Sequence, residues 1–342
     1  EPTQGTAGSV GAAAVDMADQ RLASADSLPV PIPLTRGQAT RDPNQLRFEL
    51  ETAKGEGGAA LRNRYSDQNE KIVQNFDEWV DQTGAQAVGA NFADRAREVG
   101  SAVDRAITES ANKDKAAINA AYKAADRSGE GGAPVELTAL VDHLNDAVPD
   151  VATAPIIDTA IKRAIRLGIA AQEPDGTLVP LAVPLKNAEA MRKAVSQAID
   201  PMHAPNTRQG VIMKGLIDAA TEEAGGPLYR QARSLRTRYA AKYENYATVR
   251  DLLRKDKGTQ DRKIALGDVW DHTILKGGLD DVRQVRKVLQ TAGPEGQQAW
   301  KELQGQTLTW LRDRALSNSA TDQRGNTIFS AAKFDSAIKL LE

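Results

Sequence analysis

The 342-residue chain contains no cysteine, and only 4% of its residues are aromatic. The lack of cysteine excludes disulfides and thiolate metal sites. No apolar run approaches the roughly 18 to 20 residues that a membrane-spanning helix requires. Alanine supplies much of the hydrophobic fraction of 41%, and it favours helices but buries little surface. We therefore expect many helices that pack through shallow contacts.

Charge is unevenly distributed along the chain. Residues 225–314 contain 18 Lys and Arg against 11 Asp and Glu, a net charge of +7. Residues 1–224 contain 23 against 32, a net charge of −9. Such a dipolar chain can bind an anionic partner at one end or stack head to tail. Ordinary variation between domains produces the same pattern and remains the alternative.

Helical periodicity runs through most of the sequence and predicts an all-α fold of elongated multi-helix hairpins or bundles. Thr35 and Gln38 form a capping-box pattern, which opens a helix expected to run to about Lys54. Asp175-Gly176 is a turn signal between two short apolar runs. It predicts one small β-hairpin near 175–183.

Glycine- and proline-rich breaks divide the chain into four predicted segments. Residues 1–33 are low in complexity and are expected to form a flexible Ala/Gly- and Pro-rich arm. The next segment, 34–130, is expected to be a long helical hairpin region. An acidic helical domain at 131–224 and a basic helical domain at 225–342 complete the chain. The sequence GEGG, which occurs twice, lacks the features of a phosphate-binding loop and is interpreted as a helix breaker.

The densest cluster of basic and aromatic residues lies at 226–257, where one long helix is predicted. Its last three tyrosines are spaced i, i+4, i+7 and line one face. We expect this stripe to pack against a helix, with stacking on nucleic acid bases as the alternative, and the basic residues can contact phosphates. The candidate contact residues for a nucleic acid or a protein partner are Arg230, Arg233, Arg236, Arg238, Tyr239, Lys242, Tyr243 and Tyr246.

Signatures of catalysis and metal binding are few. None of the three histidines, His143, His203 and His272, has a second histidine at metal-ligand spacing, so we expect neither a metal nor a cofactor. Glu109-Ser110 resembles the catalytic Glu-Ser of lytic transglycosylases, in which a glutamic acid protonates a glycosidic oxygen. The Gly-Leu-Met-Gln type of stretch found in those enzymes is absent. We expect a protein that is not an enzyme. A peptidoglycan lyase that uses Glu109 is kept as an alternative.

Five short segments form a recognisable ensemble. They are LTRGQATRD at 34–42, IMKGLID at 212–218, GPLYRQAR at 226–233, LDDVRQVRKVL at 279–289 and GQQAWKEL at 296–303. The ensemble resembles a family of large bacteriophage and prophage proteins, which are encoded among virion structural genes and are taken to be internal virion or DNA-ejection (DNA-transfer) proteins. The resemblance covers most of residues 34–342.

This resemblance implies a virion protein of the capsid interior or tail, which is released toward the host periplasm or envelope and helps to deliver the genome. It also implies a homo-oligomer that meets other phage ejection, portal or tail proteins and contacts DNA non-specifically. Alanine-rich helices with shallow contacts are compatible with partial unfolding in a narrow channel. The alternative is a structural helical protein of the phage head or tail that stays in the particle.

Overall fold

The computed structural model describes residues 7–87, 92–255, 261–317 and 319–341. Most of these residues are helical, which confirms the all-α class, and short antiparallel strand pairs accompany the helices. In chain order the α-helices are α1 (Ala7–Asp26), α2 (Arg36–Thr40), α3 (Pro43–Lys54), α4 (Ala59–Thr83), α5 (Phe92–Arg127), α6 (Thr138–Asp146), α7 (Ile156–Arg166), α8 (Leu185–Ala198), α9 (Ala204–Ala224), α10 (Pro227–Tyr243), α11 (Ala247–Leu253), α12 (Leu279–Thr291), α13 (Pro294–Leu316) and α14 (Ala331–Ile338).

Within the segment 1–33, for which the sequence predicts a flexible arm, residues 7–26 form a helix, α1, and residues 27–33 are not helical. α1 packs against α2 and buries Ala18 and Ala25. The Nη1 atom of Arg21 donates a hydrogen bond to the carbonyl oxygen of Ala39 at 2.7 Å. Alanine is the strongest helix former. A low-complexity sequence rich in alanine therefore folds when a neighbouring helix covers one of its faces.

The proline-rich segment that follows α1 is held by Asn75 of α4. The N–H of Val30 donates to Oδ1 of Asn75 at 3.0 Å, and Nδ2 of Asn75 donates to the carbonyl of Val30 at 2.7 Å. Extended proline-rich backbone makes no internal hydrogen bonds. A single buried amide side chain supplies both a donor and an acceptor to this segment.

The capping box at Thr35 and Gln38 is present, but the helix that it opens is short. α2 ends before Arg41, which has the left-handed φ of 56°. Asp42 then caps α3, and Pro43 occupies its first turn. Proline is suited to the first turn of a helix and breaks a helix interior. The single helix predicted from residue 34 to 54 is therefore two helices.

The chain divides into two compact units. Unit 1 comprises Glu1–Ser110 and Lys242–Glu342, and unit 2 comprises Ala111–Ala241. Both α5 and α10 contribute residues to each unit. These bounds differ from the predicted segments 34–130, 131–224 and 225–342. Glycine and proline breaks mark the ends of helices, whereas the units divide within two helices that continue past the boundary.

Unit 2 is built around an apolar core. α8 packs against α7 and α9, and α6 packs against α7 and α9. The core is rich in leucine, isoleucine and methionine, the residues that contribute most by burial. Its largest fully buried side chains include Leu137, Leu140, Leu144, Ile157, Ile169, Leu185, Met191, Met213 and Ile217.

Four short strands complete unit 2: β1 (Pro134–Val135), β2 (Ala170–Gln172), β3 (Leu178–Pro180) and β4 (Val183–Pro184). β2 and β3 pair as the predicted hairpin, and β1 pairs with β4. Gly176 has a φ of 92° in the hairpin turn, a conformation that glycine adopts readily. Asn145 of α6 accepts from the N–H of Leu178 and donates to its carbonyl, both at 2.9 Å. This clamp secures a hairpin that its prolines would otherwise leave marginal.

Unit 1 has a more polar interior than unit 2. α13 packs against α4, α12 and α14. Phe76 lies in an aromatic cluster, with its ring centroid 5.2 Å from that of Trp79, 5.7 Å from Phe329 and 5.8 Å from Phe334. Among the described residues, every buried polar or charged side chain except Thr221 belongs to unit 1.

A buried carboxylate in unit 1, Glu302 of α13, illustrates how these groups are used. It accepts hydrogen bonds from the backbone N–H of Gln86 and of Ala87, each at 2.8 Å, and from Nε2 of Gln298 at 2.5 Å. Buried charge is tolerated when hydrogen bonds replace the lost water. Glu302 therefore fixes the chain that leaves α4 onto α13.

Candidate functional site: helix α10 and a basic cleft

The basic segment is not a single helix. α10 ends at Tyr243 and α11 begins at Ala247, so the prediction of one helix over 226–257 is wrong, and its last residues, 256–257, lie outside the described residues. Asn245 lies in the break, where a residue that competes for backbone hydrogen bonds is favoured. Tyr246 becomes the N-cap position of α11 and leaves the tyrosine stripe, with 38% of its surface exposed.

Arg233 lies at the centre of an ion-pair network inside unit 2. Its Nη2 atom is 2.7 Å from Oδ1 of Asp218, and its Nη1 atom donates to Oγ1 of Thr221 at 2.6 Å. Nη1 also lies 3.4 Å from Oε1 of Glu189. Arg192 of α8 adds a 2.5 Å contact from Nε to Oδ1 of Asp218. The network joins α8, α9 and α10, so Arg233 holds helices together.

The electrostatics of this network follow from burial and pairing. Burial alone would raise the pKa of Asp218, but the hydrogen bond from Arg192 and the charges of Arg192 and Arg233 outweigh it and lower that pKa. The Tyr229 hydroxyl donates to Glu189, and burial followed by this contact raises the pKa of Tyr229. Burial and then the charge of Glu189 raise the pKa of Tyr122 to about 12.

Two of the candidate tyrosines are buried. Tyr239 is 7% exposed, and its ring is approached by Arg236 at 5.6 Å and by Lys115 at 5.7 Å from the centroid. Tyr243 is 1% exposed, and its hydroxyl lies 2.7 Å from Oγ of Ser110. Stacking on a nucleic acid base requires an open ring face. Neither ring has one in this conformation.

The remaining candidates lie nearer the surface. Arg230 and Arg238 are exposed, and Nη1 of Arg230 donates to the carbonyl of Gly225 at 2.8 Å. Lys242 is partly buried, with Nζ 4.9 Å from the ring centroid of Tyr243 and 3.3 Å from Oγ of Ser110. Arg230 and Arg238 are therefore the exposed members of the candidate basic residues on α10.

Glu130 is an important residue that the sequence interpretation missed. It belongs to the second GEGG sequence, and its carboxylate accepts from the N–H of Leu228 at 3.3 Å and of Tyr229 at 2.8 Å. These are unpaired donors at the start of α10, where a negative charge also meets the positive end of the helix dipole. A Cβ at Gly226 would lie 2.3 Å from this carboxyl group. The signal was a glutamate within a helix-breaking sequence, but the helix it caps lies far along the chain.

The Glu109-Ser110 pair lies on α5. Glu109 is exposed, whereas a catalytic acid of a glycosidase is held in an apolar setting that keeps it protonated. Ser110 is engaged with Tyr243. The surroundings of this pair therefore give no support to the lyase alternative.

A basic cleft between α7 and α8 was also missed. It encloses about 840 Å³ in unit 2 and is lined by four cationic side chains and one carboxylate: Lys162, Arg163, Arg166, Lys193 and Asp158. The i and i+4 spacing of Lys162 and Arg166 was visible in the sequence, but only the packing of α7 on α8 brings Lys193 to the same cleft. The predicted acidic segment thus contains a concentrated basic surface.

Within the residues that the structure describes, no group of three or more His, Asp or Glu side chains is arranged to hold a metal ion. A search of the described helices finds none with the length and apolarity to cross a membrane. Comparison of the chain with protein families, with curated proteins and with solved structures finds no match. The fold and these sites therefore define the molecule as an all-α protein with two structural units and a basic cleft.

Proposed function

We propose that the chain is a non-enzymatic, virion-associated ejection protein, which helps to deliver a phage genome through the tail and across the host cell envelope. In this role it acts as a homo-oligomer together with other ejection, portal or tail proteins and contacts DNA non-specifically. Its place is the capsid interior or the tail, followed by release into the host periplasm or envelope. The five family-like segments supply the starting point, and the interior of unit 1 supplies the physical support.

The observation that carries the proposal is that unit 1 buries polar groups without pairing all of them. Both amide atoms of Gln306, Oγ1 of Thr273 and Nε2 of His272 are buried and have no hydrogen-bond partner among the described residues. Each such group costs about 1–3 kcal/mol relative to exposure to water. Opening unit 1 recovers this cost, so unit 1 unfolds more readily than an apolar core of the same size. A protein that passes through a narrow channel must open in this way.

The seam of α5 supports the same conclusion. Of its five buried apolar positions in unit 1, two are alanines, and each alanine exposes little area when the helix separates from its neighbours. These positions are Ala96, Val99, Val103, Ala106 and Ile107. The helix itself has high intrinsic propensity and re-forms locally after passage.

A second candidate function is a structural helical protein that remains in the particle. The apolar core of unit 2 favours it, because burying many leucine and isoleucine side chains resists unfolding. The two candidates differ in one observable property, namely whether the protein leaves the virion.

Quantitative mass spectrometry of purified particles, before and after triggered genome release, distinguishes the two functions. Peptides from both units should be present in the full particle and depleted in the emptied one, while coat-protein peptides remain as the internal standard. Retention in the emptied particle would replace ejection with the structural role. Absence from full particles would overturn both.

A further inference from the structure

The basic cleft between α7 and α8 is lined by more positive than negative side chains. Oδ2 of Asp158 lies 2.7 Å from Nζ of Lys162, and both side chains are well exposed, so this ion pair contributes little to stability. Arg163, Arg166 and Lys193 remain on the walls as further cations. Three like charges that converge on one cleft repel each other and favour an anion between them.

One atom of this cleft is distinctive. Among the described residues of unit 2, Nε of Arg163 is the buried side-chain nitrogen or oxygen atom that has no hydrogen-bond partner. A buried donor without an acceptor is unfavourable. The Nε atom itself is shielded from solvent, so an oxygen-bearing anion would meet the part of the Arg163 side chain that lines the cleft.

The shape of the cleft restricts the anion. Its volume of about 840 Å³ is far larger than one phosphate group. Arg163 and Arg166 are three residues apart, about 4.5 Å along α7, so the positive charge is repeated along the helix. The α8 wall presents the small side chains of Ala190, Ala194 and Ala198, and none of the lining residues is aromatic. The cleft therefore suits a repeated anion that approaches closely and offers no base for stacking.

We propose that the α7–α8 cleft binds the phosphodiester backbone of duplex DNA without reading its sequence. The choice of DNA rests on the proposed function, since a genome is the polyanion that an ejection protein meets, whereas the preference for a repeated anion rests on the cleft alone. This places the DNA contact in the segment of net negative charge and away from α10, where the sequence placed it.

The test is fluorescence anisotropy of a labelled duplex of arbitrary sequence, titrated with the full chain between 50 and 200 mM salt. Each phosphate contact contributes about 0.9 to the salt slope, so three cleft cations predict about a 40-fold loss of affinity over this range. The double variant Arg166→Ala, Lys193→Ala should leave about a 3.5-fold loss, as expected for one contact. Both side chains are exposed, so the variant should keep the wild-type circular dichroism spectrum.

The matched control is Arg230→Ala, Arg238→Ala, which removes the same charge from exposed positions on α10. It should keep the wild-type salt slope. A third variant, Asp158→Asn, raises the positive charge of the cleft and should tighten binding, a gain that loss of structure does not produce. If the α10 variant abolishes the salt slope while the cleft variant keeps it, α10 is the contact and the proposal is overturned.

Two competitors separate DNA from other phosphate sources. Inorganic phosphate at equal ionic strength should displace the duplex no better than chloride does, because a single anion does not span the cleft. Vesicles that contain an anionic phospholipid should bind the cleft variant and the wild type equally. Displacement by inorganic phosphate, or vesicle binding that depends on Arg166 and Lys193, would assign the cleft to another ligand. These results do not depend on whether the protein leaves the virion.

Discussion

Replacement of Arg233 by alanine tests whether the basic helix is held inside unit 2 or is presented to a partner. Loss of one partner from a buried ion pair costs about 3–5 kcal/mol, because the other charge stays buried and unpaired. Here Asp218 keeps its 2.5 Å contact with Arg192, whereas Glu189 keeps only the hydroxyl of Tyr229. The side chains of Glu189 and Asp218 are 22% and 34% exposed, so we expect less than that range, a decrease of about 2 kcal/mol in the free energy of unfolding of unit 2.

Urea denaturation with two probes measures this change. Circular dichroism follows the helices of both units, whereas all four tryptophans, Trp79, Trp270, Trp300 and Trp310, belong to unit 1. In the wild type, the tryptophan signal should change at lower urea than the remaining dichroism. The variant should move the second transition to lower urea by about 0.7–1.3 M, for a slope of about 1.5–3 kcal/mol per molar urea. The tryptophan transition should stay in place.

Arg238→Ala provides the control on the same helix, because Arg238 is exposed and its loss should change stability by less than about 0.5 kcal/mol. Equal stability of the Arg233 and Arg238 variants would refute the network argument. A tryptophan transition that moves together with the dichroism in every variant would instead show that the two units unfold as one, which removes the physical support for early opening of unit 1.

Three further predictions concern single sites. Gly100→Ala should destabilise the protein by about 2 kcal/mol, because its Cβ would lie 1.8 Å from the carbonyl oxygen of Leu266. Gly215→Ala in α9 meets no atom within 4 Å and should stabilise the protein by up to about 1 kcal/mol. Thermal denaturation that ranks the two variants in the opposite order would contradict this packing. Tyr122 should ionise at a pKa of about 12 when the near-ultraviolet titration of the wild type is compared with that of Tyr122→Phe. The free energy of unfolding should fall as the pH rises from 10 toward 12, because the tyrosine loses its proton first in the unfolded chain. A difference spectrum with its midpoint at pH 10 would exclude the buried setting. Glu130→Ala should lower the free energy of unfolding by about 1 kcal/mol, because the cap of α10 is lost. Glu130→Asp should retain part of this stabilisation. Equal urea midpoints for the two variants would count against the capping role.

Local signals in the sequence located much of the fold. Thr35 with Gln38 marks a true helix start, with the side-chain cap in place. The turn at Asp175-Gly176 marks the hairpin. Capping and turn formation depend on residues within a few positions of each other, so a single sequence contains the whole signal. These local signals did not predict the amino-terminal helix α1, because its low-complexity sequence has a high helix propensity but shows no apolar stripe.

The candidate site was not predicted for a different reason: its charged side chains are far apart in sequence and close together in space. Summed along the chain, charge assigned a basic character to 225–314 and an acidic character to 131–224, but an ion pair forms between side chains within a few ångströms, whatever their separation in sequence. Arg233 meets Glu189, which lies 44 positions earlier, and its charge is cancelled inside the unit. Lys193 meets the basic face of α7 across the cleft, and their charges add. Segment charge thus placed the anionic partner on α10, whereas the packing of α7 on α8 brings four cationic side chains together in one cleft of unit 2.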